Sequence, residues 1–254
     1  MLLEGKKALI LGVANEKSIA FGIAKLFKGQ GAHIALNYPN EAIQKRVERA
    51  SEVTEADFIF KMDVTDDTDL KHAKNLVKRN WGQVDILVHS IAYADKTDLS
   101  GRFIDTSRDG FKMTLDVSAY SLVACCQAFE DLLAPDSTVM TMTYLGAERV
   151  VTNYNVMGVA KAALEASVRY LAVDLGKHGI RINAISAGPL KTLAASGISG
   201  MRELLRLIDF KSPLGRNISQ EDVARTALYL ASSLSTGVTG EIIYVDSGFN
   251  ILGV

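Results

Sequence analysis

Tyr154 and Lys161 stand seven residues apart in the run Tyr154-Asn155-Val156-Met157-Gly158-Val159-Ala160-Lys161. Seven residues of α-helix turn through about 700° and climb about 10.5 Å, so both side chains fall on one face. Helical side chains lean toward the helix N-terminus, which carries the lysine stem back toward the phenol. A phenol aimed at an oxygen that gains negative charge acts as an oxyanion-hole donor does, and a neighbouring cation favours its donor behaviour. Two ordinary surface residues satisfy the same spacing, so spacing alone leaves the chemistry open. A second phenol, Tyr144, follows a strand-like run ten residues before Tyr154 and serves either as a plain pocket wall or in proton delivery.

The second chemical feature follows the first apolar run, Lys7 to Gly12. The stretch Gly12-Val13-Ala14-Asn15-Glu16-Lys17-Ser18-Ile19-Ala20-Phe21-Gly22 departs from the plain G-x-G-x-x-G fingerprint. Gly12 still permits a tight turn, Ser18 stands where a helix begins, and Gly22 permits close helix–sheet approach. Backbone N–H groups at such a helix start suit a pyrophosphate; a glycine turn with an N-cap serine is the structural alternative. The second strand ends Asn37-Tyr38-Pro39-Asn40, with neither the acidic residue that marks NAD nor the arginine that marks NADP, although Lys45 and Arg46 lie further on. Asp63-Val64 after the third strand reads either as an adenine contact or as a helix cap.

The elements that must position these groups alternate along the whole chain. Strands are expected at Lys7–Gly12, Ala32–Asn37, Asp57–Met62, Val84–Ser90, Ser137–Thr143, Ile180–Ser186 and Glu241–Val245. Helices are expected from Ile19, from Glu41 to Ser51, from Asp66 to Asn80, from about Ser107 to Leu133 with Pro135 ending it, from about Asn153 to His178, and from Ser219 to Ser233. Leu164, Val168, Leu171 and Leu175, spaced 4, 3 and 4, make one buried stripe. The pattern implies one α/β domain over 1–254: a doubly wound, seven-stranded parallel sheet flanked by helices, whose ligands bind outside the strands' carboxyl ends. The stretch Ala187 to Asn217 has no regular pattern and is a candidate substrate-binding loop and helix at about 190–210.

Bulk composition narrows the classes. Among 254 residues 48% are hydrophobic, enough for a packed core. Lys and Arg number 28 against 29 Asp and Glu, a net charge of −1, so neither nucleic acid nor an anionic membrane is expected as a partner. No signal peptide or spanning segment is legible, and the expected location is cytoplasmic. Cys125 and Cys126 are neighbours in a helical pattern and read as reduced, buried thiols. No His/Cys cluster has metal-ligand spacing. His89, ending a buried strand, reads as a packed histidine, and Trp81, Met140 and Met142 as core.

Several segments together carry a resemblance: the Gly12 turn, Asp63-Val64, His89-Ser90-Ile91-Ala92, Tyr144-Leu145-Gly146-Ala147-Glu148, the Tyr154–Lys161 run, and Asn183-Ala184-Ile185-Ser186-Ala187-Gly188-Pro189. Lys191-Thr192-Leu193-Ala194-Ala195 and Val245-Asp246-Ser247-Gly248-Phe249 fit the same pattern. From about Leu3 to Val254 the chain resembles the bacterial enoyl-acyl-carrier-protein reductases, a divergent branch of the short-chain dehydrogenase/reductases with a Rossmann-like fold. Ordinary members of that wider group space tyrosine and lysine four apart, so the spacing of seven argues against a simple ketone reductase.

The resemblance implies an NADH-dependent oxidoreductase of fatty-acid biosynthesis, with NADPH possible, acting on an enoyl thioester of acyl carrier protein as a homotetramer. It places Gly12, Ser18 and Ile19 at the pyrophosphate, Asp63 and Val64 near adenine, and Ile91 beside the ribose. Lys161, Leu190, Lys191, Thr192, Leu193 and Ala194 hold the nicotinamide half. Ala94, Tyr144 and Tyr154 face substrate, and Tyr144, Tyr154 and Lys161 form the catalytic set. Pro39 departs from relatives that carry glutamine there. Of the basic residues that dock the carrier protein in some relatives, Arg202 and Arg206 are the candidates. A carbonyl reductase on the same fold would turn over acetoacetyl rather than crotonyl thioesters, and a catalytically silent dinucleotide sensor would have no need of the phenol and lysine.

Overall fold

The computed structural model describes residues 1–190, 192 and 200–253, with Met201 and Arg202 described by backbone alone. Seven strands form one sheet: β1 (Lys7–Leu11), β2 (His33–Tyr38), β3 (Phe58–Lys61), β4 (Val84–His89), β5 (Leu133–Thr143), β6 (Arg181–Ala187) and β7 (Ile242–Val245). Their order is β3-β2-β1-β4-β5-β6-β7, and every neighbouring pair is parallel. The chain winds outward from β1 to β3, then crosses back to β4 on the other side of β1. The crevice therefore opens at the carboxyl ends of β1 and β4, where Gly12 and Ser90 lie.

Helices cover both faces because the central strands are apolar on both. Ala8 and Ile10 point to one side and Leu9 and Leu11 to the other, all fully buried. On the first side, Ile23 and Phe27 of α1 (Ile19–Gly29), Val47 and Ala50 of α2 (Glu41–Thr54), and Val223, Ala227 and Leu230 of α9 (Gln220–Ala231) close one core. On the second, Leu70 and Val77 of α3 (Asp67–Trp81), Cys125 and Phe129 of α6 (Ser121–Phe129), and Leu164 and Val168 of α7 (Asn155–Gly176) close another. Three further helices are α4 (Lys96–Leu99), α5 (Arg108–Leu115) and α8 (Met201–Lys211), the first two packed against α7.

The sequence expectations hold for the strand count, the parallel sheet and the helical cover, with two corrections. The single helix expected from Ser107 to Leu133 is broken: α5 passes into a π-turn over Asp116–Tyr120, then α6, then a 3-10 turn over Glu130–Leu132. The π-turn lets buried Ser118 bond sideways, taking the Tyr93 N–H and donating to the Tyr93 carbonyl, both at 2.9 Å. Pro135 does not end a helix; it lies inside β5, which starts at Leu133, in a stretch where the β4–β5 register shifts between Val84 and Ile86.

One buried side chain joins the carboxyl ends of the first three strands. Asn37 accepts the Gly12 N–H at 2.9 Å and donates to the Met62 carbonyl at 3.1 Å. Gly12 itself has φ +94°, and a Cβ there would collide with the Ser90 carbonyl, so only glycine lets β1 and β4 approach this closely. Asn37→Ala leaves a buried donor and a buried acceptor unpaired, at roughly 1–3 kcal/mol each. Urea denaturation should show a loss of about 2–4 kcal/mol; a loss under about 1 kcal/mol would remove Asn37 from this role.

Candidate active site

Tyr154 is placed by local backbone as much as by α7. It occupies the N-cap position, one residue before the helix, rather than lying inside it as expected from the sequence. Its neighbours Asn153 (φ +62°) and Asn155 (φ +35°) are both left-handed, a conformation asparagine tolerates better than most residues. Asn155 Nδ2 also donates to the Gly101 carbonyl at 3.2 Å, tying this corner to the loop that follows α4. The ring lies against Gly146, where a Cβ would strike it, and a Cβ on Gly158 would press on the Gly146 carbonyl.

Tyr144, just past β5, meets Tyr154 edge to face, with ring centroids 5.0 Å apart and planes at 73°. Leu99, Met157 and Ala160 pack around Tyr154, and Ala94 and Tyr144 pack against that cluster. The three residues expected at the substrate are thus brought together. A cleft beside them is lined by Tyr144, Leu145, Ser186, Gly188, Pro189 and Phe249.

Lys161 comes from the same helix and is 5% exposed. Its Nζ donates to the Met142 carbonyl at 2.8 Å. The next residue of β5, Thr143, donates through Oγ1 to Glu165 Oε1 at 2.6 Å. Two α7 side chains one turn apart therefore hold consecutive residues of β5, and Tyr144 follows directly. Burial pushes Lys161 down to about 8, while the Glu165 carboxylate opposes that shift. Burial raises Glu165 in turn. It also pushes Tyr144 up to about 12 and moves Tyr154 further upward still. At Tyr154 burial comes first and the neighbouring Tyr144 and Glu165 act in the same direction, so the phenol keeps its proton rather than being eased toward ionisation by the lysine.

The nucleotide end lies at the crevice. Gly12 sits under Ile91, whose Cγ1 is 3.2 Å from where a Gly12 Cβ would be. Ser18 is the N-cap of α1 by position, but its hydroxyl donates to the Asn15 carbonyl at 2.6 Å and does not cap. No acidic residue stands in the first turn of α1 and no side chain caps it among the described residues, whereas Asn40, Asp66, Ser107 and Ser219 cap α2, α3, α5 and α9. A helix start left in this state after a glycine turn suits an anion. Asp63 Oδ1 is taken by the Thr65 N–H and hydroxyl at 3.0 and 2.8 Å, and Asp66 rather than Asp63 caps α3. Val64 is buried beside it.

Leu190 packs against the first core and accepts the Thr192 N–H at 2.8 Å. Lys191, Leu193 and Ala194 lie outside the described residues, as does the Arg202 side chain. His89 is the packed histidine expected. Its Nε2 is 2.8 Å from Ser121 Oγ, which spends its own proton on the Val117 carbonyl, so Nε2 carries the hydrogen and Nδ1 accepts from Thr141. Among the described residues no group of three His, Cys, Asp or Glu could hold a metal, and no helix is long and apolar enough to cross a membrane.

Sequence reasoning missed Asn37, Ser118, Thr143, Glu165 and Gln220. Of these only Glu165 left a helical signal, four residues beyond Lys161 on the face that carries it.

Residues 12–250 match the family model described as enoyl-(acyl carrier protein) reductase. The enoyl-acyl-carrier-protein reductase (NADH) of Aquifex aeolicus is 50% identical over 254 residues, covering 100% of this chain and 94% of its own. Enzyme 1 of the same name from Rhizobium meliloti is 50% identical over 253 residues, covering 100% and 93%. The crystal structure of the Aquifex aeolicus enzyme superposes with a TM-score of 0.97 at 50% identity, covering 100% of both chains. That of the Anaplasma phagocytophilum reductase, solved in complex with NAD, gives 0.96 at 47% identity, covering 100% and 97%. Across its full length, in motif order and in fold, the chain belongs to the enoyl-acyl-carrier-protein reductase family.

Proposed function

We propose that the protein reduces the trans-2 double bond of enoyl-acyl-carrier-protein thioesters with NADH, the last step of the fatty-acid elongation cycle. The observation that carries this reading is the edge-to-face Tyr144–Tyr154 pair beside a buried Lys161, at the carboxyl ends of the strands and next to Ala94. The residues present fit a dinucleotide: the glycine turn and side-chain-free start of α1 suit its pyrophosphate, and the buried ammonium suits hydroxyl groups. NADH, when bound, supplies a hydride to the β-carbon of the enoyl group.

The double-bond electrons then move toward the thioester oxygen, and the chain's task is to hold that charge. Tyr154 donates its O–H to this oxygen, and its raised pKa suits a hydrogen-bond donor that keeps its proton through the step; the α-carbon then takes a proton from water, which returns the electrons from the oxygen and completes the reduction. Lys161 holds the ribose hydroxyls and so fixes the nicotinamide end relative to Tyr154. Tyr144 walls the acyl site and keeps the Tyr154 ring in place. Gly12, Ser18 and Ile19 line the pyrophosphate site, with the Ile19 N–H as its backbone donor because those of Gly12 and Ser18 already bond Asn37 and the Asn15 carbonyl; Asp63 and Val64 receive the adenine, Ile91 the ribose, and Leu190 through Ala194 the nicotinamide. The expected substrate-binding loop and helix at about 190–210 belong to the same domain and serve the acyl site; residues 191 and 193–199 lie outside the described residues. The carrier protein approaches on that side, with Arg206 as a contact. The buried free thiols Cys125 and Cys126 suit a reducing, cytoplasmic setting.

Tyr154→Phe keeps the ring packing and removes one donor, so turnover on a crotonyl thioester should fall about 10²–10³-fold with NADH affinity little changed. Lys161→Ala should weaken NADH binding together with rate, and Tyr144→Phe should be milder than either; wild-type turnover by Tyr154→Phe would show that the wrong phenol is named.

Lys161 titrates near 8, so raising pH from 7 to 9.5 removes its cation from the ribose site. NADH affinity measured by fluorescence should fall across that window in the wild type and stay flat in Lys161→Ala. Parallel profiles would exclude Lys161 as the ligand.

The tail Ile251-Leu252-Gly253 and the exposed Tyr170 and Val173 of α7 are apolar surface that a homotetramer would cover. Light scattering should give four times the chain mass of 27.5 kDa, and a monomer mass would refute the assembly.

A further inference from the structure

Gln220 opens α9, yet its side chain ends at the turn after β1, 204 positions away in the chain at its farthest contact. Nε2 donates to the Glu16 carbonyl at 3.2 Å and to the Ser18 carbonyl. The stem lies on Gly22, where a Cβ would collide with Gln220 Cγ, so glycine at 22 admits the glutamine. In a trans peptide the C=O and the following N–H point in opposite directions. The Phe21 N–H already bonds the Ser18 carbonyl at 3.0 Å within α1; a second donor, from outside the helix, strengthens the hold on that peptide plane and so on the aim of the Ile19 N–H.

Gln220 is itself held rigidly. Ser219 and Asp222 form a reciprocal capping box around the first turn of α9. The Arg216 guanidinium grips both Asp222 oxygens, at 2.8 and 3.1 Å, and keeps that carboxyl well below the usual range. Next to Arg216, Asn217 Nδ2 donates to the Leu205 carbonyl of α8 at 3.0 Å. A continuous hydrogen-bonded path thus runs from α8 through the cap of α9 to the turn that starts α1.

We propose that Gln220 is a positioning residue for cofactor binding, bracing from outside α1 the peptide plane that presents the Ile19 N–H to the pyrophosphate, with the Arg216–Asp222 cap holding Gln220 in place. The inference rests on the NADH reading above.

The test is NADH titration of the full chain by fluorescence, with hydrogen exchange of residues 15–22 as a readout independent of activity. Gln220→Met keeps the length and loses the donor. It should weaken NADH binding about 3- to 10-fold, the range one net hydrogen bond commands, speed exchange in 15–22, and leave the crotonyl-thioester KM within twofold. Gln220→Glu sets a carboxylate against two carbonyls and should weaken binding further. Arg216→Met should act in the same direction by less, and the double variant should be no worse than Gln220→Met alone. NADH affinity within 1.5-fold of wild type in Gln220→Met, or NADH and acyl affinities falling together, would overturn the proposal while leaving the enzyme reading intact. A wild-type protein that binds no NADH would sink both. Thermal melting separates any variant that fails to fold, and in that event exchange of 15–22 unchanged in Arg216→Met also overturns the proposal.

Discussion

An ammonium group taken out of water costs several kcal/mol unless its surroundings replace the lost hydration. Lys161, 5% exposed between β5 and α7, is therefore a demand placed on everything near it. The Met142 carbonyl answers with a direct bond, and Glu165, one turn along, answers with charge. Neither suffices to restore the ordinary lysine value, and the group is left near 8, where a small change in environment changes its charge. Because Glu165 is itself buried, its carboxylate needs a donor, which Thr143 supplies. Placing one cation thus dictates the identity and position of three other groups, and the strand they clamp delivers Tyr144.

The phosphate end solves a different problem with backbone rather than charge. Three strands must finish within reach of one another and still leave a helix start open. Asn37 joins the ends of β1 and β3 with a single side chain, and Gly12 lets β4 pass close behind. Side chains cap α2, α3, α5 and α9, whereas Ser18 turns its hydroxyl away from α1 and leaves it uncapped, as α6 and α7 also are. The local stability of that missing cap, about 1 kcal/mol, is left for a ligand to supply.

Hydrophobic periodicity made the seven strands and most helices legible, because burial on two faces leaves apolar runs that polar helices interrupt. It failed where a side chain overrides periodicity. The stretch from Ser107 to Leu133 has helical spacing throughout, but Ser118 reaches Tyr93 only if the backbone takes a wider turn. Pro135 looks like a helix stop and instead sits at a register shift inside β5. Tyr154 and Lys161 were legible from spacing on the assumption of one unbroken helix, whereas two left-handed asparagines set the phenol just ahead of it. Asn37 and Gln220 act on groups far away in sequence, and no local pattern announces such partners.

His89 shows how far the Lys161 charge reaches. It lies on β4, fully buried, where a second cation would stand against the charge of Lys161. Burial first, and the Lys161 charge second, push the imidazole down to about 3, so it is neutral at any working pH. A neutral ring has one donor and one acceptor, and both are committed, to Ser121 and Thr141. That leaves no proton for chemistry and makes the ring a strut between β5 and the first turn of α6. The same α6 follows the π-turn that fixes Tyr93, so the strut aligns the substrate-side loop with the strand that carries Tyr144.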